Sequence, residues 1–398
     1  MQKKSVQLLL AFWGILAPLA LSAQTARKLS VKETDKMNEN NDIVAIHKQV
    51  NRRIRWDKLT FDTTAADCPS KLGYAMYNNQ RYSGGFFNTF PAASGEKVVT
   101  SREGSLLNGL MHGEYAEYNK AGIKQLKETW ANGKKNGPFT YYYENGMPEI
   151  VGAFKDNELD GDITGYYIDG TKKYFKQYTN GVRNGAANSY FESGQIEQEA
   201  TFVNDLPDGD AIGYYPKGNI RNIQTYKMGI LHGRHYVFHR NGCAGIEEYF
   251  KDGLLDSVQR LYDALSCNLI NSGYYKKGKR FGQFLSYDMF GDTLTIENFD
   301  DSVKHGYFAT FLEVWDPVVK RNILQIETAG NYVHGSPDGY WRYGQVSNKF
   351  RREGVYDLGV KIGEWKYFDD MGDLMLVQTY DQDGNLLKQK FHKRKKHD

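Results

Sequence analysis

The stretch Asn132-Gly133-Lys134-Lys135-Asn136-Gly137-Pro138-Phe139-Thr140-Tyr141-Tyr142-Tyr143-Glu144-Asn145-Gly146 decides the fold. Two glycines bracket three residues, an aromatic-rich extended segment follows, and an Asn-Gly pair closes it. Glycine accepts the positive backbone angles of tight turns, and neighbouring Asn or Asp supplies local turn hydrogen bonds. The pattern is therefore turn, strand, turn. Working outward, the second glycine returns every 24 residues as Gly113, Gly137, Gly161, Gly185, Gly209 and Gly233, with Ser257 in the next place. An aromatic stands five residues after each: Tyr118, Tyr142, Tyr166, Tyr190, Tyr214, Phe238 and Tyr262. Another stands seven residues before the next reference position, at Trp130, Phe154, Tyr178, Phe202, Tyr226 and Phe250. A further glycine nine residues on, from Gly122 to Gly242, marks the opposite turn. Each period thus supplies two short strands and two turns, a β-hairpin that must stack on its neighbours to bury its faces.

The later chain keeps the rhythm through Gly282, Gly306, Gly339 and Gly363. The step from Gly306 to Gly339 is nine residues too long, an enlarged loop expected around Trp315 to Asn322 beside Pro317. The one-residue shift between Ser257 and Gly282 implies a bulge or altered turn near 260–278. The sequence therefore predicts an all-β protein, an elongated, curved single antiparallel sheet of about 11–12 hairpins with one short N-terminal helix.

These segments, with Gly359-Val360-Lys361-Ile362-Gly363-Glu364-Trp365-Lys366-Tyr367-Phe368, resemble the MORN-repeat family in its bacterial variant, over about residues 100–390. The resemblance implies a curved single-layer sheet used for protein or membrane-associated contacts. Bacterial relatives often carry the YwqK-type antitoxin label, which does not by itself supply a mechanism. Ser257 and the 315–322 insertion depart from the family pattern.

The division expected is a signal peptide over 1–23, an extension over 24–60, degenerate opening repeats over 61–108, MORN-like hairpins over 109–387 and a basic tail over 388–398. Lys3 and Lys4 precede an apolar run from Val6 to Leu21, and Leu21-Ser22-Ala23 suits cleavage near Ala23 or Gln24. The alternative is an uncleaved anchor, for which a run broken by Gly14 and Pro18 is short. No cysteine follows the cut, so a lipoprotein is not expected; the chain reads as exported to the periplasm or outer-membrane periphery, with the cell surface or secretion open. Asp42 caps an expected helix from Ile43 to Trp56, its apolar stripe formed by Ile43, Ile46, Val50 and Ile54, covering the first sheet edge or lying on a membrane. Cys243 and Cys267 are 24 residues apart. At equivalent places in successive hairpins they would stand about 9–10 Å apart, beyond bonding range unless the irregular 257–273 stretch folds back. Cys68 reads as free.

Formal charge is +3, which falls to +1 without Lys3 and Lys4, so no nucleic-acid partner is expected. Motifs for nucleophilic, zinc-hydrolytic and phosphate-loop chemistry are absent, and no enzyme activity, cofactor or metal is expected. His235 and His239 would lie about 13 Å apart on a strand, too far to share one ion. His112, His232 and His305 each precede a reference glycine, which fits turn chemistry. Most aromatics read as structural. The contact candidates are Trp315, Trp341 and Trp365, with Arg394, Lys395 and Lys396 of the basic tail. The tail also reads as a solvated terminus or a guard on the last open strand. The function expected is a noncatalytic cell-envelope scaffold or protein-binding module with an envelope protein as partner. Alternatives are carbohydrate binding or surface adhesion, on a glycan or an anionic membrane surface, and an antitoxin-like role.

Overall fold

A computed structural model describes residues 53–64, 74–316, 321–346, 349–369 and 371–393. Thirty-one strands belong to one sheet, and the strands Thr60–Asp62, Tyr74–Tyr77 and Gln80–Arg81 form a second, small one. Two compact units divide the chain: Met1–Ile196 with Phe202–Asp205, and Glu197–Thr201 with Leu206–Asp398. In both, successive long strands pair antiparallel, as Lys134–Tyr142 does with Pro148–Lys155 and Ile230–Phe238 with Ala244–Lys251.

Two kinds of turn alternate. On one side the chain reverses through two consecutive residues with positive φ, as at Asn132-Gly133, Asn180-Gly181 and Met228-Gly229. These are type I′ turns, whose twist matches that of the flanking strands. On the other side a type I turn ends in a left-handed glycine, as where Gly146 N–H donates to Tyr143 O and Tyr143 N–H to Met147 O. The reference glycines, which the sequence spacing suggested as turn residues, are not at turns. Gly137 sits inside a strand with φ of 119°, at a bulge where the register slips between Lys135 and Phe139. The residue before the reference glycine ties one hairpin to the next. Asn180 N–H donates to the Asp160 carboxylate at 3.1 Å, Met228 N–H to Asp208 at 2.8 Å, and Asp252 N–H to His232 Nδ1 at 3.3 Å. His112 and His305 serve the same purpose toward Asn132 and His334.

The core is a ladder of rings on one face. Where the residue two after a reference glycine is a ring, it meets the aromatic seven before the next such glycine or seven before its own: Phe139 lies 4.5 Å from Phe154 and Phe284 5.2 Å from Phe299, while Trp341 lies 5.0 Å from Tyr332. The aromatics five after the glycine satisfy hydroxyls locally, Tyr118 donating to Glu103 at 2.7 Å and Tyr262 to Glu247 at 3.0 Å. Burial, together with the Glu103 carboxylate, pushes the Tyr118 pKa up to about 12. A further column crosses between repeats, with Tyr143 donating to Tyr166 O, Tyr167 to Tyr190 O and Tyr215 to Phe238 O. Most tyrosines are therefore committed to the architecture.

Two expectations are corrected. Residues 43–52 of the expected helix lie outside the described residues, while Arg53–Arg55 is a strand paired in parallel with Gly84–Thr89, followed by a 3-10 turn at Trp56–Lys58. The first edge is covered by a strand because the rings of Trp56 and Phe61 are drawn onto Phe86, with Trp56 4.7 Å from it. The second correction concerns Cys243 and Cys267, which are disulfide-bonded with Cα atoms 5.7 Å apart. They are not equivalent. The turn from Asp263 to Asn268 holds one extra residue, and Cys267, at φ of 62°, takes the left-handed place that Gly242 has in the preceding turn. The bond thus joins neighbouring turn tips. Cys68 lies outside the described residues.

Candidate functional site

The core ladder explains a second set of glycines. Gly330 and Gly354 each stand eleven residues before a tryptophan, Trp341 and Trp365. A Cβ on Gly330 would lie 2.1 Å from the Trp341 ring, and one on Gly354 2.3 Å from Trp365. Gly273 stands likewise against Phe284. Both tryptophans are core residues, 2% and 0% exposed, and donate their indole N–H to Asn331 O and Val355 O. They are therefore unavailable as contact residues. The sequence register exposed their offset from the reference glycine but not the glycine beneath each ring.

Where that underlying position is not glycine it is polar at several repeats, although Ala200 fills it in one. In the first unit it is Glu128, 2% exposed, paired with Lys135 and accepting the Tyr141 hydroxyl at 3.0 Å. The Lys135 ammonium also lies 5.1 Å from the Phe154 ring centre. One further equivalent position is Lys176, between the cross-strand neighbours Ile163 and Ala187, with its ammonium 4.9 Å above the Tyr174 ring. Burial, with a smaller contribution from the Arg183 charge, lowers the Lys176 pKa to about 8. The native state then binds fewer protons than the unfolded chain between about pH 8 and 10, so this group makes stability rise with pH across that window. Below pH 8 its full penalty is present. Lys176→Met should therefore stabilise the protein at pH 7 by about 1–3 kcal/mol and remove that rising limb. Denaturant titrations at pH 7 and 10 check it; a destabilised variant that keeps the limb would refute the account.

In the second unit the row holds Gln224, His235, Glu248 and Gln259. His235 is the direct cross-strand neighbour of both Gln224 and Glu248. His235 Nδ1 is 2.6 Å from Glu248, and Gln259 donates to the other Glu248 oxygen at 2.5 Å. Burial opposes ionisation of Glu248, but these hydrogen bonds outweigh it and hold its pKa below the ordinary value. The Phe250 ring stands edge-on 5.7 Å from His235. The nearby histidines do not converge on this pair: His232 accepts from Asp252 N–H and His239 lies 3.3 Å from Tyr262 O.

The irregular turns of the second unit form a different surface. Leu265 is 92% exposed, Phe290 74%, Met289 66% and Trp315 60%. The turns of Leu265 and of Met289 and Phe290 are linked, since Asn268 Nδ2 donates to Met289 O, and the first is held to the preceding turn by Asn241 Nδ2 donating to Ala264 O, both at 2.8 Å. The disulfide adds a third tie. The expected enlargement is a lengthened hairpin, Gly306–Asp316 against Arg321–Val333, with Trp315 near its tip. Beside it, carboxylate oxygens of Asp288, Asp292 and Glu313 lie within 4.8 Å of one another, a spacing that could hold a cation. Asp288 is already occupied in shaping its turn, accepting Phe290 and Asp292 N–H at 2.8 Å. Sequence reasoning singled out Trp315 and missed Leu265, Met289 and Phe290, whose signal was only an apolar residue inside a turn. Of the basic run, Lys388 and Lys390 lie on the last strand, Leu386–Phe391. Arg394, Lys395 and Lys396 lie outside the described residues.

Residues 135–156, 183–204 and 207–228 match the family model described as MORN repeat variant. The chain carries MORN-type repeats. Each matched stretch covers one such repeat, with its bulge glycine and its ring or small residue on the core face. No curated protein matches the chain. Among solved structures, the crystal structure of TcdB2-TccC3 without its hypervariable C-terminal region is similar at 11% identity, over 81% of this chain and 19% of that one, with a TM-score of 0.16. A Tc holotoxin pore of Photorhabdus luminescens is similar at 8% identity, over 84% of this chain and 23% of that one, with a TM-score of 0.14. The chain thus spans under a quarter of the length of those chains.

Proposed function

We propose that this MORN-repeat protein is an exported, noncatalytic binding module that holds another protein of the cell envelope. One observation carries the reading: large apolar side chains are displayed to solvent on turns of which two, those of Leu265 and of Met289 and Phe290, are joined by the Asn268 side chain, while a disulfide anchors the first to the turn before it. Holding turns in place before contact reduces the entropy lost on binding, and exposed clusters of this kind mark contact sites. The disulfide also suits an oxidising compartment, in keeping with the export signal read over 1–23. In-cell cross-linking of the tagged full chain followed by mass spectrometry should return one reproducible envelope protein. Repeated failure to recover any would sink the proposal.

Carbohydrate binding is the second reading. It is favoured by the polar row of His235, Glu248 and Gln259 beside Phe250, which pairs hydrogen-bonding groups with a ring. It requires glycan or peptidoglycan binding that is lost in Glu248→Gln.

A further inference from the structure

Three turns of the second unit carry acidic residues along with their apolar tips, while the turn before them, joined to the first by the disulfide, carries Arg240, whose guanidinium lies 5.9 Å from the Tyr215 ring. Residues 263–268, 288–292 and 311–315 contain Asp263, Asp288, Asp292 and Glu313 and no lysine, arginine or histidine. Over residues 311–321 the sequence adds Asp316, Lys320 and Arg321, which still leaves the three stretches with a negative excess. The acids and the apolar groups are parts of one construction. Asp263 accepts Leu265 N–H at 3.0 Å and Ser266 N–H at 2.8 Å, and Asp288 accepts Phe290 N–H, so carboxylates set the turns from which Leu265 and Phe290 project. These turn bonds hold the Asp263 pKa below its ordinary value, so the charge persists at neutral pH. Glu313 lies two residues from Trp315 on one strand, hence on the same face, and its carboxylate approaches those of Asp288 and Asp292.

We propose that this edge docks an amphipathic, cationic segment of a partner protein. Apolar side chains of that segment cover Leu265, Met289, Phe290 and Trp315, and its lysines or arginines face Asp288, Asp292 and Glu313. Charge complementarity selects this occupant over an anionic lipid surface, which the same carboxylates would repel. The inference rests on the binding-module reading and adds the partner's chemistry.

The test uses the full exported chain and three probes: a short labelled amphipathic helix of leucine and lysine, its leucine and glutamate counterpart, and phosphatidylglycerol vesicles. Fluorescence anisotropy should show binding of the lysine peptide alone. Phe290→Ser with Trp315→Ser should weaken that binding by about tenfold, as expected for aromatic anchors. Asp292→Asn with Glu313→Gln should weaken it by about fivefold and flatten its salt dependence. An unchanged melting temperature in both pairs separates lost contact from lost fold. Equal binding of the glutamate peptide, binding of the vesicles in place of the lysine peptide, no binding of the lysine peptide, or indifference to both variant pairs each overturns the assignment. If a cross-linked envelope partner is retained by Phe290→Ser with Trp315→Ser, this edge is wrong and the binding-module reading survives. If the lysine peptide behaves as expected and no envelope partner is ever captured, the reverse holds.

Discussion

Replacing Lys135 with Met should destabilise the first unit by about 3–5 kcal/mol, because the change leaves a buried carboxylate without its counter-charge. Glu128 is 2% exposed and lies directly across from Tyr115 and Phe139 on its two neighbouring strands. Water cannot replace the lost ammonium, and the Tyr141 hydroxyl alone does not balance a full charge. The loss of cation contacts with the rings of Phe154 and Trp130 adds a smaller part. Glu128→Gln should cost less, about 1–3 kcal/mol, since the amide still accepts from Lys135 and Tyr141. The combined change should recover most of the loss, because an uncharged amide then faces an apolar side chain. A double-mutant cycle by urea unfolding, with hydrogen exchange locating the affected strands, decides the matter. If Lys135→Met costs under about 1 kcal/mol, the pair is solvated and the energetic account fails.

The repeat is legible in the sequence because glycine at a bulge and glycine in a hairpin turn both recur at fixed spacing. Spacing does not distinguish the two roles: Gly133 and Gly137 look alike in the sequence, yet one occupies a type I′ turn and the other a kinked strand. Both register slips are visible in the sequence, and both prove to be altered turns or lengthened strands. The disulfide is not, because equal spacing resembles equivalent position, whereas one extra residue in the Asp263 turn moves Cys267 onto its neighbour's tip. Exposure is the least legible property. Trp315, Trp341 and Trp365 share a residue type, but only Trp315 lies on the extended tip of a hairpin. The His235 and Glu248 pair is hidden for a related reason: its members come from adjacent strands thirteen residues apart, and no local motif joins them.

The tryptophans that proved to be core give the second large effect. Trp365→Ala should cost about 3–5 kcal/mol, the range for emptying a buried aromatic site. The ring contacts Tyr356 edge-on at 4.8 Å, its N–H donates to Val355 O at 3.1 Å, and the Lys361 ammonium lies 4.5 Å above it. Gly354→Ala alone should cost about 1–3 kcal/mol or more. The new methyl would sit 2.3 Å from the ring and force it off its strand. The two changes should not add. With the indole gone, the methyl introduced by Gly354→Ala enters the space the ring vacates, so the double variant should be less destabilised than the sum of the single losses. Urea unfolding followed by near-ultraviolet circular dichroism reads both the stability and the packing of the neighbouring rings. Strict additivity would mean that ring and glycine are not spatial complements. The glycine eleven residues upstream would then need an explanation in turn geometry, for which Gly354, lacking a positive φ, offers none.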